Sequence, residues 1–126
     1  MLKQINNIII ILILLITATT IRADAEDKIY IFVSLSMPDS ALQAYYSEAE
    51  SMGAIMVMRG LHHNSFPETK IKAESLKISW DIDPDLFEQY GISEVPVIVR
   101  VAGSVAKKVA GHIPLAEALT LMDAKN

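Results

Sequence analysis

Cysteine is absent from all 126 residues. That absence excludes thiol nucleophiles, disulfide exchange, lipid attachment at an N-terminal cysteine and every thiolate metal site. It also rules out the disulfide staples that exported domains of this size often carry, so packing alone has to hold the fold. Long apolar runs are scarce as well. The run Ile8 to Ile16 has nine residues, whereas a membrane-spanning helix needs about twenty. Positive charge is in short supply, with 11 Lys and Arg against 15 Asp and Glu and a net charge of −4 at pH 7. The one adjacent basic pair, Lys107-Lys108, reads as an exposed strand face. Nucleic acid would call for clustered Lys and Arg, so no nucleic-acid partner is expected.

What is present starts with a short polar segment, Met1 to Asn7, carrying Lys3. The apolar run follows, then Thr17, Thr19 and Thr20, then the small-x-small triplet Ala23-Asp24-Ala25. This is the layout of a secretory signal peptide, with cleavage expected after Ala25 and Ala23 as a second candidate. Membrane contact is expected only through this leader. Two parts result: a signal peptide over 1–25 and one domain over 26–126. Losing Lys3, Arg22 and Asp24 leaves nine basic and fourteen acidic side chains, 9 − 14 = −5. The remaining 101 residues suit a single core.

Along that domain, Ile29 to Leu35 is apolar on both faces and rich in β-branched and aromatic residues, as in a central strand covered on two sides. Ser36-Met37-Pro38-Asp39 breaks it and opens a helix over Pro38 to Met52, which Gly53 stops. Ile55 to Met58 is a second buried strand. Strand, helix and strand in that order make a parallel, right-handed βαβ unit. His62 to Phe66 reads as a polar loop, Pro67 to Lys77 as a largely exposed helix and Ile78 to Ile82 as a short extended piece. Asp83-Pro84 begins another short helix that ends near Gly91. Pro96 to Val101 and Val105 to Ala110 form a hairpin around Ala102-Gly103-Ser104. The closing helix places Leu115, Ala118, Leu119 and Met122 on one face.

The order βαβ, then ββα, resembles the thioredoxin fold, an α/β class with a mixed central sheet flanked by helices. In that resemblance Ser36 stands at the first cysteine of the redox turn and Asp39 at the second. The segment Tyr90 to Pro96 resembles the one that brings a cis-proline to face that turn. Gly111-His112-Ile113-Pro114 and the insertion between Leu61 and Ser79 suit the branch of the periplasmic disulfide isomerase DsbC. Four blocks are closer to the TrbC family: 32–38 (FVSLSMP), 58–61 (MRGL), 82–87 (IDPDLF) and 95–99 (VPVIV). The resemblance implies a periplasmic, non-enzymatic factor for assembling the pilus of F-type conjugative transfer, a type IV secretion machine of Gram-negative bacteria. It implies other envelope proteins of that apparatus as partners, a TraW-like protein or pilin among them. A general envelope chaperone that kept a peptide groove without the redox pair is the alternative. A monomer is expected, with no cofactor, metal or catalytic residue.

Each candidate site has a structural reading beside the functional one. Ser36 and Asp39 can simply cap the helix and favour its dipole. The turn Ser36, Met37, Pro38 and Asp39, facing Val95 and Pro96, can instead dock an extended peptide, with an exposed Met37 giving adaptable contact. Catalysis by Ser36 needs a histidine base in reach, and no segment is expected to bring His62, His63 or His112 there. No Gly-x-Ser-x-Gly elbow occurs. The carboxylates of Asp81, Asp83 and Asp85 fail the calcium-loop pattern, because its glycine and glutamate positions hold Leu86 and Ile92. Adjacent His62 and His63 in an extended segment would point opposite ways and chelate poorly. Arg59, following a buried strand, is expected to pair with a carboxylate such as Asp83; the alternative is that it reaches the surface to meet a partner.

Overall fold

The computed structural model describes residues 27–124; the expected signal peptide, 1–25, lies outside the described residues. Five strands form one sheet: β1 (Lys28–Phe32), β2 (Ile55–Met58), β3 (Asp81–Ile82), β4 (Val97–Ala102) and β5 (Val105–Ala110). Their order across the sheet is β3-β2-β1-β4-β5. β1 runs parallel to β2, with Ile31 opposite Met56, and antiparallel to β4, with Ile31 opposite Ile98. β3 adds a parallel edge and β5 an antiparallel one. The mixed α/β sheet expected from the sequence is thus formed, with β1 at its centre.

Alternation along β1 divides the core in two. Ile31 and Val33 join Met56, Met58 and Ile98 on one face, under α1 (Asp39–Met52) and α4 (Leu115–Ala124). Leu42, Tyr45 and Ala49 of α1 and Leu115, Ala118 and Met122 of α4 close that face. Tyr30 and Phe32 point to the other face, where Val57, Val97 and Val99 meet Ile92 and Phe87, the latter from α3 (Pro84–Gln89). The remaining helix, α2 (Phe66–Leu76), lies beside α1. Gln43 Nε2 donates to the Leu76 carbonyl at 3.1 Å, and Lys72 meets Asp39 at 3.4 Å.

Local chemistry explains most of the element ends. Gly53 terminates α1 in the left-handed conformation, φ 69°, its N–H bonded to the Ala49 carbonyl. Ser65 Oγ accepts from Glu68 N–H to cap α2, and Asp83 Oδ1 accepts from Leu86 N–H to cap α3, each followed closely by a proline. The start of α1 departs from expectation. Neither Ser36 nor Asp39 caps it by side chain: Pro38 holds the cap position, and its carbonyl accepts from Ala41 and Leu42. Asp39 is the first helical residue, placed to favour the helix dipole. The polar loop 62–66 also holds a short 3₁₀ turn, His62–Asn64, and of the extended piece 78–82 only Asp81–Ile82 pairs as strand.

Candidate functional site

The segments that follow β1 and β2 border a cleft of about 620 Å³. One wall is the segment 33–36, the other 58–63, and Phe87, Ile92, Ser93 and Val95 complete it. The first wall is a tight turn. Met37 N–H donates to the Ser34 carbonyl at 3.0 Å, and Ser36 N–H donates to Ser34 Oγ at 3.2 Å. The two hydroxyls, Ser34 Oγ and Ser36 Oγ, lie 2.9 Å apart. The Val95–Pro96 peptide, whose Val95 lines the cleft, is cis, as the resemblance implied.

The cleft takes Ser36, Val95 and Arg59 from the sequence-derived candidates and leaves the others out of its lining. Pro38 and Asp39 are exposed at the start of α1, and Pro96 is buried just before β4. Met37 is not the exposed contact expected: only 7% of it is accessible, and it packs in the core cluster under α1 and α4. The turn folds the chain back over that face, and burial of a Met side chain is worth about 1.5–3 kcal/mol. The Arg59–Asp83 ion pair is not formed among the described residues. Asp83 is committed to its helix cap. Arg59 Nη2 instead donates to the Ile92 carbonyl at 2.8 Å, with its guanidinium carbon 4.9 Å from the centre of the Phe87 ring. This contact combines a hydrogen bond with cation–π attraction.

Sequence reasoning missed the histidines. His63 adopts a left-handed backbone, φ 51°, so the two rings do not diverge but stack at 3.8 Å. Both line the same cleft as Ser36, on the wall opposite it. His63 Nδ1 lies 3.5 Å from Glu68 Oε2. Among the described residues no hydrogen bond joins Ser36 to a histidine; the hydroxyl is engaged by Ser34. No group of three or more potential metal ligands occurs among them either. The clearest shifts of proton affinity fall elsewhere. Burial raises Tyr45, and Arg100 is raised first by its hydrogen bond to Asp27 and then by the charge of Asp123. The cleft therefore offers an apolar floor of Val33, Met58, Phe87 and Ile92 beneath hydroxyl, imidazole and guanidinium groups. That is the composition of a binding surface.

Residues 31–120 match the family described as the type-F conjugative transfer system pilin assembly protein, TrbC. The chain belongs to the TrbC family. A curated relative, the periplasmic protein TrbC of Escherichia coli (strain K12), is 31% identical over 93 residues, which cover 70% of this chain and 44% of that protein. The chain thus spans less than half the length of the relative it matches. Among solved structures it is similar to MTB DsbF (TM-score 0.56, 15% identity, 80% of this chain and 81% of that one). StoA of Bacillus subtilis gives 0.54 at 15% identity, over 84% and 87%. The N-terminal domain of PilB from N. meningitidis gives 0.53 at 18% identity, over 78% and 79%. At these identities the likeness speaks for the fold, which is thioredoxin-like. Within this TrbC-family fold, each of the four blocks quoted above sends residues into the cleft: 33–36, 58–61, Phe87 and Val95.

Proposed function

We propose that this protein is a non-enzymatic assembly factor for a type-F conjugative pilus, working in the periplasm of a Gram-negative bacterium. It acts by holding an extended segment of another envelope protein of the transfer apparatus, such as a TraW-like protein or pilin, in the cleft. The observation that carries the reading is convergence: four blocks scattered over the chain, the ones that resemble the TrbC family, meet at one open cleft. Strand addition suits this place. None of the described hydrogen bonds uses the backbone of Ser93, Glu94 or Val95, so that edge can pair with an incoming chain. Thiol exchange is excluded by composition.

A photo-crosslinking residue at Ser36, which is exposed on the cleft wall, tests the reading, with Thr120 on α4 as the control position. Capture of a TraW-like protein or pilin from position 36 and not from 120 is the expected result. A broad spread of unrelated unfolded envelope proteins sinks it in favour of a general chaperone. In a parallel Ser36→Ala variant, loss of pilus assembly with normal co-purification of the partner points to a nucleophile instead, whereas assembly that follows partner co-purification supports action by contact.

A further inference from the structure

The protein carries more acid than base, 15 Asp and Glu against 11 Lys and Arg, yet none of the cleft-lining residues is a carboxylate. The lining instead holds Arg59, His62 and His63, with the hydroxyls of Ser34, Ser36 and Ser93 beside them. Glu68 touches His63 from α2 without lining the cleft, and Glu94, between the lining Ser93 and Val95, is exposed and outside the lining. In a chain of this composition such a lining is complementary to negative charge.

Arg59 is also held in place before anything binds. Its hydrogen bond to the Ile92 carbonyl and its position over Phe87 fix the plane of the guanidinium. The described hydrogen bond uses one of the five N–H donors that a guanidinium carries. A pre-oriented fork binds a carboxylate with less loss of side-chain freedom than a mobile cation does, and charge-assisted bonds of this kind are about twice as strong as neutral ones.

We infer that the cleft selects an extended segment bearing an Asp or Glu side chain that faces Arg59. The inference rests on the docking reading above and names the chemistry of the docked segment. An internal side chain, rather than a chain terminus, is favoured by the unpaired backbone at 93–95, which lets a strand continue past both sides of the contact.

Two random decapeptide libraries, one displayed internally with both ends blocked and one with a free C-terminus, are selected against the exported protein. The internal library should enrich sequences with an acidic residue at one fixed place between apolar ones. Replacing that acid by its amide should weaken binding at least tenfold, and Arg59→Gln should erase the difference. Because Arg59 also packs on Phe87, Ser93→Glu provides a second variant at an exposed lining position. It should weaken the acidic peptide about tenfold more than the amide peptide. Equal binding of acid and amide, no effect of Ser93→Glu, or dependence on a free C-terminus overturns the inference. If apolar peptides bind and compete with crosslinking from position 36 without any acidic preference, docking stands and the charge inference falls. If neither library enriches a sequence, both fall.

Discussion

Tyr30 and Phe32 leave β1 on one side of the sheet, Ile31 and Val33 on the other, and the two faces are filled by different means. The face under α1 and α4 is aliphatic and sulfur-rich, with Leu42, Leu115, Met56, Met58 and Met122 beneath helices of 14 and 10 residues. Among the described residues, the helix that packs on the opposite face is the six-residue α3. There the volume is supplied by rings: Phe32 meets Phe87 edge-on at 4.9 Å, and Tyr30 and Tyr90 stand at 6.1 Å. Long helices cover a sheet with many small contacts, whereas a short helix does so by projecting one large side chain. The consequence is a division of labour. Both faces reach the cleft, the aliphatic one through Val33 and Met58 and the aromatic one through Phe87 and Ile92, but it is the aromatic face that holds Arg59.

Phe87→Ala is the severest way to break this contrast. It should cost about 3–5 kcal/mol in chemical denaturation and, in the fraction that remains folded, reduce crosslinking from position 36, because Arg59 loses its platform. Leu115→Ala, fully buried on the other face, should cost about 2–5 kcal/mol and leave crosslinking by folded protein unchanged. If both variants impair docking equally, the division fails.

Tyr45→Phe sharpens the account of the aliphatic face. Its hydroxyl donates to the Ile113 carbonyl at 3.0 Å and ties α1 to the segment leading into α4; the loss should be about 1 kcal/mol. Burial raises the Tyr45 phenol above its ordinary value of 10.0, opposed by that hydrogen bond and aided by the charge of Glu48. The fold thus favours the neutral phenol. Its contribution is whole below pH about 10 and is lost as the pH rises through the folded value. Alkaline melting curves should show this loss in the natural protein and less of it in Tyr45→Phe. The smallest effect belongs to Lys108→Ala. Lys108 Nζ donates to the Tyr90 carbonyl at the end of α3, at 2.9 Å, and its loss should cost about 0.3–1 kcal/mol at low salt and less in high salt.

The strands and helices were largely legible because their signals are local. A run apolar on both faces marks β1, Gly53 stops α1, Asp83-Pro84 starts α3, and Ala102-Gly103-Ser104 turns the hairpin. The site was only half legible. Ser36, Arg59 and Val95 were identified and do line the cleft, but the direction of Met37, the partner of Arg59 and the convergence of His62 and His63 were not foreseen. A left-handed backbone at a non-glycine residue such as His63 has no strong sequence signal.

Lys107-Lys108 shows the same boundary in two residues. On an edge strand, neighbours point to opposite faces, so what reads as one basic patch becomes two separate contacts. Lys107 donates to the Met122 carbonyl of α4, and Lys108 to the Tyr90 carbonyl after α3. Glu48 likewise accepts from the first N–H of α4, 67 residues away in the chain. The sequence by itself determined the absence of thiol chemistry, the order of elements and the family resemblance, since composition, periodicity and capping act within a few residues. Tertiary structure alone decided which side chains share the cleft and which carbonyl holds Arg59. Those pairings depend on where distant segments meet, and no local pattern encodes that distance.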